Sequence, residues 1–331
     1  MLQRFFFIII LLSVLVNACG QSKQIVIHDP VAIKAEGKYY IFGTGPGLES
    51  AVSDDKENWS KYSPGVFDPM PEWFKKEVPN FNGHVWAPDI VFHKGKYYLY
   101  YSVSSFGSNL SCIGVATNTT LDKANNDYKW EDHGVVIQSV PGRDNWNAID
   151  PNIIFDENNV PWLAFGSFWD GIKIVKLNEE LLTIAEPQEW NTIAARERDF
   201  GLDDSEPGNG MIEAPFIIMK DDYYYLFVSF DKCCRGSESN YNVRIGRSKS
   251  VTGPYLDKEG VPMTQGGGTL FIEGDENFYA IGHNSVYNFD GVYYMYSHGY
   301  DVNDRGKPKL LVHILEWNDE GWPFIKNYID K

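Results

Sequence analysis

The stretch "EAPFIIMKDDYYYLFVS" (Glu213–Ser229) reads as an apolar strand, a turn at Lys220-Asp221-Asp222 and an aromatic second strand. Apolar and aromatic runs flanking a short polar turn are the pattern of a β-hairpin. The pattern occurs four more times: "HDPVAIKAEGKYYIFGT" from His28, "WAPDIVFHKGKYYLYYS" from Trp86, "IDPNIIFDENNVPWLAFGS" from Ile149 and "GHNSVYNFDGVYYMYSH" from Gly282. Pro30, Pro88, Pro151 and Pro215 hold the same place in four copies, and Asn284 holds it in the fifth, at intervals of 58 to 69 residues.

That period is longer than one hairpin. Further strand-like runs such as "SCIGVATN", "IKIVKLN" and "VRIGRSKS" lie between the copies. Each unit therefore reads as a four-stranded antiparallel sheet. Helical periodicity is nearly absent; "DKANN" and "PEWFKKE" offer short turns at most. Repeated four-stranded sheets pack radially as propeller blades. An open solenoid of so few sheets leaves its end faces bare, whereas closure buries them. The expected fold is all-β, a five-bladed β-propeller with its site at the central channel.

In a propeller the first strand of each blade lines the channel, so equivalent positions form a ring. The residues before the Pro positions are Asp29, Ala87, Asp150, Ala214 and His283. Glu213 lies one step further back. Each has a bland reading alone, since Asp before Pro is common in turns. Two aspartates and a histidine in one ring, with a glutamate beside it, form a cluster that assembles only on folding. Asp89, two residues after Ala87, is a further candidate for the channel wall.

Crowded carboxylates raise one another's pKa. One acid kept protonated beside another kept ionised is what glycoside hydrolysis requires. Glu213, flanked by Met211, Ile212, Ala214 and Pro215, is placed to stay neutral and donate a proton. Asp29 is the candidate base. Asp150 is placed to tune the acid and fix its orientation.

Bulk properties agree. The net charge of −16 argues against a nucleic-acid partner. Aromatics make up 15%, suiting sugar faces as well as β cores. Phe5–Val16 is apolar, preceded by Arg4 and too short to span a bilayer, so residues 1–18 read as a signal peptide. The sequence Ala18-Cys19-Gly20 resembles a lipoprotein cleavage site, which makes Cys19 a lipid anchor and the only membrane attachment. Residues 19–331 are expected to form one exported domain, anchored at the cell surface or facing the periplasm, or else secreted, and nothing demands more than a monomer. Adjacent Cys233 and Cys234 form either a vicinal disulfide or two free thiols, and are no disulfide framework.

The motifs "HDP" with Asp29, "NAIDPN" with Asp150 and "MIEAPF" with Glu213 resemble those of the five-bladed propeller glycoside hydrolases of family 43, in particular the endo-acting α-1,5-L-arabinanases. "HVWAPD", "GSFWDGI", "CCRG" and "GHNSV" extend the likeness over nearly the whole mature chain. The resemblance implies that Asp29 is general base, Glu213 general acid and Asp150 the modulator of the acid. It implies inversion, with acid and base roughly 6.5–9.5 Å apart. It also implies that His283 is an axial histidine holding a hydrated calcium, although calcium prefers oxygen ligands and waters must supply the rest. No organic cofactor is expected.

The implied substrate is arabinan, a pectin side chain, cut at internal bonds. Exo-arabinanase, α-L-arabinofuranosidase or β-xylosidase action on the same fold is the alternative, and a non-catalytic surface glycan-binding protein a remoter one. Trp86, Phe106, Trp146 and Trp169 are candidate platforms for furanose rings, or else core. Asn147 and Ser167 are candidates to bind sugar hydroxyls. The insertion Ala194–Met211, rich in charge, Gly and Pro, reads as a loop that either narrows the groove or, more simply, sits in solvent.

Overall fold

The computed structural model describes residues 24–328 apart from Phe200, Asp204 and Ser205. The signal segment and Cys19 lie outside the described residues. Five antiparallel sheets follow one another along the chain, each with its strands in sequence order. Blade 1 comprises Val31–Ala35, Lys38–Gly43, Glu49–Ser53 and Ser60–Lys61. Blade 2 comprises His84–His93, Lys96–Val103, Ser111–Asn118 and Glu131–Ser139, with Gly45–Pro46 added at its inner edge. Asn152–Phe155 opens blade 3, Ile212–Lys220 blade 4 and Phe278–Phe289 blade 5. Each of the five repeated stretches supplies the first two strands of a blade. The one α-helix among the described residues, Trp73–Glu77, falls within "PEWFKKE" and buries Phe74.

A sheet buried on both faces needs apolar residues on both, and the aromatic strands provide them. A core cluster fills each gap between neighbouring blades. Tyr40 and Leu99 share the first gap, Tyr100 and Phe165 the second, Trp162 and Leu226 the third, and Phe227 and Met295 the fourth. Ile41 and Tyr296 share the fifth, between the last blade and the first. The backbone closes the circle as well: Val26 pairs with Lys309, so the N-terminal segment is fastened to blade 5.

The ring inferred from the repeats has a physical signature. Asp29, Ala87, Asp150, Ala214 and His283 all have positive φ, between 33° and 57°. Non-glycine residues avoid this region, and persist there when their surroundings over-determine them. Here each kinked N–H is captured by a side chain of the preceding blade. Thr44 Oγ1 accepts from Ala87 N, Ser102 Oγ from Asp150 N and Ser229 Oγ from His283 N, at 2.8–3.0 Å. His298 Nδ1 closes the series by accepting from Asp29 N at 3.2 Å. These acceptors are the last residues of the repeated stretches. The fifth such residue, Ser167, is the exception. Asp150 Oδ2 takes Ala214 N at 3.0 Å in its place, and Ser167 Oγ is released to donate to Glu213 Oε2 at 2.8 Å. The acidic site stands where the structural repeat breaks.

The kink also corrects the expectation for Asp89. Strand pairing slips between Trp86 and Asp89, so simple alternation from Ala87 fails. Asp89 is 2% exposed and points between blades, accepting from Ile153 N at 2.7 Å and Asn152 Nδ2 at 3.1 Å. Burial raises its pKa to about 7. It is a blade-to-blade tie and does not line the channel cavity.

Candidate active site

A cavity of about 590 Å³ opens at the channel. Asp29, Asp150, Glu213 and His283 all line it, brought together from four blades. Trp86, Phe106, Asn147, Ser167 and Trp169 line it too. Their settings differ. Phe106 is 78% exposed and stands at the rim, whereas Trp169 is 3% exposed and is largely wall. Asn147 is 4% exposed, and its Oδ1 has no hydrogen-bond partner among the described residues. A buried acceptor of this kind calls for a donor from a ligand. Trp146 is not a platform: it packs against Phe165 and Trp190 and does not line the cavity.

Glu213 is 9% exposed and accepts two hydroxyls, Ser167 at Oε2 and Tyr241 at Oε1, both at 2.8 Å. Tyr241 packs so tightly on blade 5 that a side chain at Gly282 would overlap its ring. Burial raises the pKa of Glu213 against the pull of these two hydrogen bonds. Burial likewise lifts Asp150 to about 8, against the attraction of His283 and with the repulsion of Glu213. Two buried carboxyls that repel each other titrate as a pair, and the raised Asp150 means that the pair keeps a proton at neutral pH.

Asp29 has the opposite balance. Burial pushes its pKa up, but the charges of and contacts with His28 and His283 outweigh burial and hold it well below the usual carboxylate range. His283 Nδ1 lies 3.0 Å from Oδ1, and His28 Nδ1 lies 2.8 Å from Oδ2 in an oblique approach. Thr44 Oγ1 donates to Oδ2 at 2.5 Å. His283 in turn is raised to about 9: burial lowers it, and Asp29 more than compensates. The wall thus holds an ionised carboxylate on one side and a proton-bearing pair on the other.

The expected calcium meets few free donors. His28, Asp29 and His298 bring donor atoms within 4.8 Å of one another, the one such group among the described residues. Its imidazole nitrogens are engaged, however. His298 Nδ1 takes Asp29 N, and both Nε2 atoms meet Tyr300 Oη. His283 directs Nδ1 to Asp29, and no partner for its Nε2 is found among the described residues. With His283 raised to about 9, Nε2 carries a proton at neutral pH, so a hydrated ion would be held there only by displacing that proton, with water supplying the remaining ligands.

Several lining groups carried no signal in the sequence. Tyr241 and Tyr300, which stand behind the wall against Glu213 and His28, lie outside the channel strands and carried none either. Cys233 and Cys234, left open above, form a disulfide and line the cavity. The loop expected to sit in solvent contributes Pro207, Gly208, Asn209 and Met211 to the wall. It is braced by Arg198, which donates to Asp203 O and Glu206 O, and by Trp169 N, which donates to Pro207 O.

The sequence profile described as "Glycosyl hydrolases family 43" matches residues 23–323. The chain is 53% identical to "Extracellular exo-alpha-(1->5)-L-arabinofuranosidase ArbA" of Cellvibrio japonicus, over 93% of this chain and 88% of that protein. It is 44% identical to "Extracellular endo-alpha-(1->5)-L-arabinanase 1" of Bacillus subtilis, over 92% and 88% respectively. The solved structure of Cellvibrio cellulosa alpha-L-arabinanase complexed with arabinohexaose superposes with a TM-score of 0.90 at 51% identity, covering 93% of this chain and 99% of that one. With the fold, the matched span and these relatives in agreement, the chain belongs to glycosyl hydrolase family 43.

Proposed function

We propose that the protein hydrolyses α-1,5-L-arabinofuranosidic bonds of arabinan with inversion, working from a chain end. The observation that carries the chemistry is the division of the wall into an ionised Asp29 and a protonated Asp150–Glu213 pair. Asp29 removes a proton from a water that attacks the anomeric carbon. Glu213 gives its proton to the departing sugar oxygen as that bond breaks. Asp150, tied to Ala214 N, shares a proton with Glu213, and in the reactive form that proton sits on Glu213 beside an ionised Asp150. Ser167 and Tyr241 fix the Glu213 rotamer. Asn147 Oδ1 accepts from a sugar hydroxyl, and Trp86 and Phe106 offer apolar faces to furanose rings.

The sequence motifs point to internal cleavage. Two observations favour the chain end. The relative named as exo-acting is 53% identical, against 44% for the one named as endo-acting. The braced loop ending at Met211 supplies a fixed wall where an open groove needs none. The early products from linear arabinan distinguish the modes. One short product of constant size is expected; a spread of oligosaccharide lengths returns the reading to internal cleavage.

A hydrated cation at His283 Nε2 belongs to the same reading. Bound there, it supplies positive charge beneath the acids. Exhaustive chelation is then expected to lower stability by about 1–3 kcal/mol relative to saturating ion. An unchanged Tm and unchanged kcat after chelation remove the ion from the site. Residues 1–18 serve as a signal peptide and Cys19 as the lipid anchor of an exported enzyme. The extracellular relatives support export.

A further inference from the structure

Behind Asp29, out of reach of the cavity, Tyr300 is a hub with three nitrogen partners, and the Ser239 hydroxyl lies beside it. Cys234 N donates to its Oη at 2.7 Å. His28 Nε2 lies 2.9 Å from the same oxygen and His298 Nε2 3.2 Å. The two imidazole rings stack with centroids 3.8 Å apart. Tyr300 is 2% exposed and His298 fully buried, so water does not compete for the bond between them.

With His28 neutral, one set of donor and acceptor roles satisfies these three contacts. His298 Nδ1 accepts the backbone N–H of Asp29, so that nitrogen carries a lone pair. Burial keeps His298 neutral. Its proton therefore sits on Nε2 and is donated to Tyr300 Oη. Cys234 N–H occupies the second lone pair of that oxygen. A phenol has two lone pairs and one proton, so the Tyr300 proton goes to His28 Nε2. His28 then carries its own proton on Nδ1, which faces Asp29 Oδ2 at 2.8 Å.

We infer that Tyr300 is a positioning residue for the base: it fixes the tautomers of His28 and His298 so that one braces the Asp29 backbone and the other presents a proton to the Asp29 carboxylate. In three other blades the equivalent of His298 is a Ser or Thr hydroxyl that ends its chain of contacts at the ring. The imidazole here carries the contact through to Tyr300 and the Cys233–Cys234 loop. This inference rests on the reading of Asp29 as base.

The test has two arms. Long-range ¹H–¹⁵N spectra of the imidazole rings read the tautomers without turnover. The expected result is a proton on Nδ1 of His28 and on Nε2 of His298 in the wild type, lost as a fixed pattern in Tyr300→Phe. The opposite tautomers, or a pattern unchanged in Tyr300→Phe, overturn the inference. The second arm is kinetic. A base displaced by a fraction of an ångström to 1 Å costs about 10–100-fold in kcat, so that loss is expected in Tyr300→Phe with KM nearly constant. His28→Leu is expected to lose as much, whereas His28→Asn, whose amide N–H reaches the Nδ1 position, recovers most of it. Equal losses in the two His28 variants overturn the inference. Full activity in Asp29→Asn sinks the base assignment instead, and leaves the tautomer result standing.

Discussion

Glu213→Gln lowers kcat on arabinan by about 10²–10⁴-fold and leaves KM nearly unchanged. The amide keeps the shape of the side chain, its oxygen accepts one of the two hydroxyls of Ser167 and Tyr241 while its NH2 donates to the other, but it has no acidic proton to give. The loss shrinks on an aryl glycoside whose phenolate leaves without protonation, which separates a missing acid from a misfolded site. In the wild type the same proton sets the alkaline limb of kcat/KM. Burial raises Glu213 and lifts its partner Asp150 to about 8. A raised pKa means that the acid form survives past the usual carboxylate range and is lost as pH rises through that of the pair. The alkaline limb therefore lies above the ordinary range, and in Glu213→Gln it disappears. Normal turnover by that variant removes Glu213 from the acid role.

Asp29→Asn should be as costly, again about 10²–10⁴-fold in kcat, because the amide cannot take a proton from water. The carboxylate is held ready by Thr44, His28 and His283, and an amide loses the ionic part of each contact. Azide, a nucleophile that needs no deprotonation, is expected to restore turnover to Asp29→Gly as an arabinosyl azide. Glu213→Gln gains nothing from azide with the natural substrate, so the two acids are distinguished by chemistry as well as by rate. Retained hydrolysis in Asp29→Asn contradicts the base assignment.

Much of this was legible in the sequence, because a repeat converts distance along the chain into position around an axis. The Pro positions gave the blades, and the residues before them gave Asp29, Asp150 and His283. The acceptors Thr44, Ser102, Ser229 and His298, at the ends of the same stretches, follow that logic. Asp89 was misplaced for a physical reason. Positive φ at Ala87 breaks the alternation on which the inference about its direction rested. Tyr241 and Tyr300 escaped notice because they lie off the first strands, where no ring position compares one blade with another. The loop wall from Pro207 to Met211 was read from composition, and composition is blind to Arg198 bracing it from within.

The most direct test of the central claim is the configuration of the first-formed product. ¹H NMR of a linear arabinan digest, taken before the new reducing end equilibrates, reports its anomeric form. Attack by water activated by Asp29, on the face opposite the oxygen protonated by Glu213, gives the β-anomer first. An α-anomer at the earliest times means that the bond is broken with retention. The division of labour between Asp29 and Glu213 is then wrong.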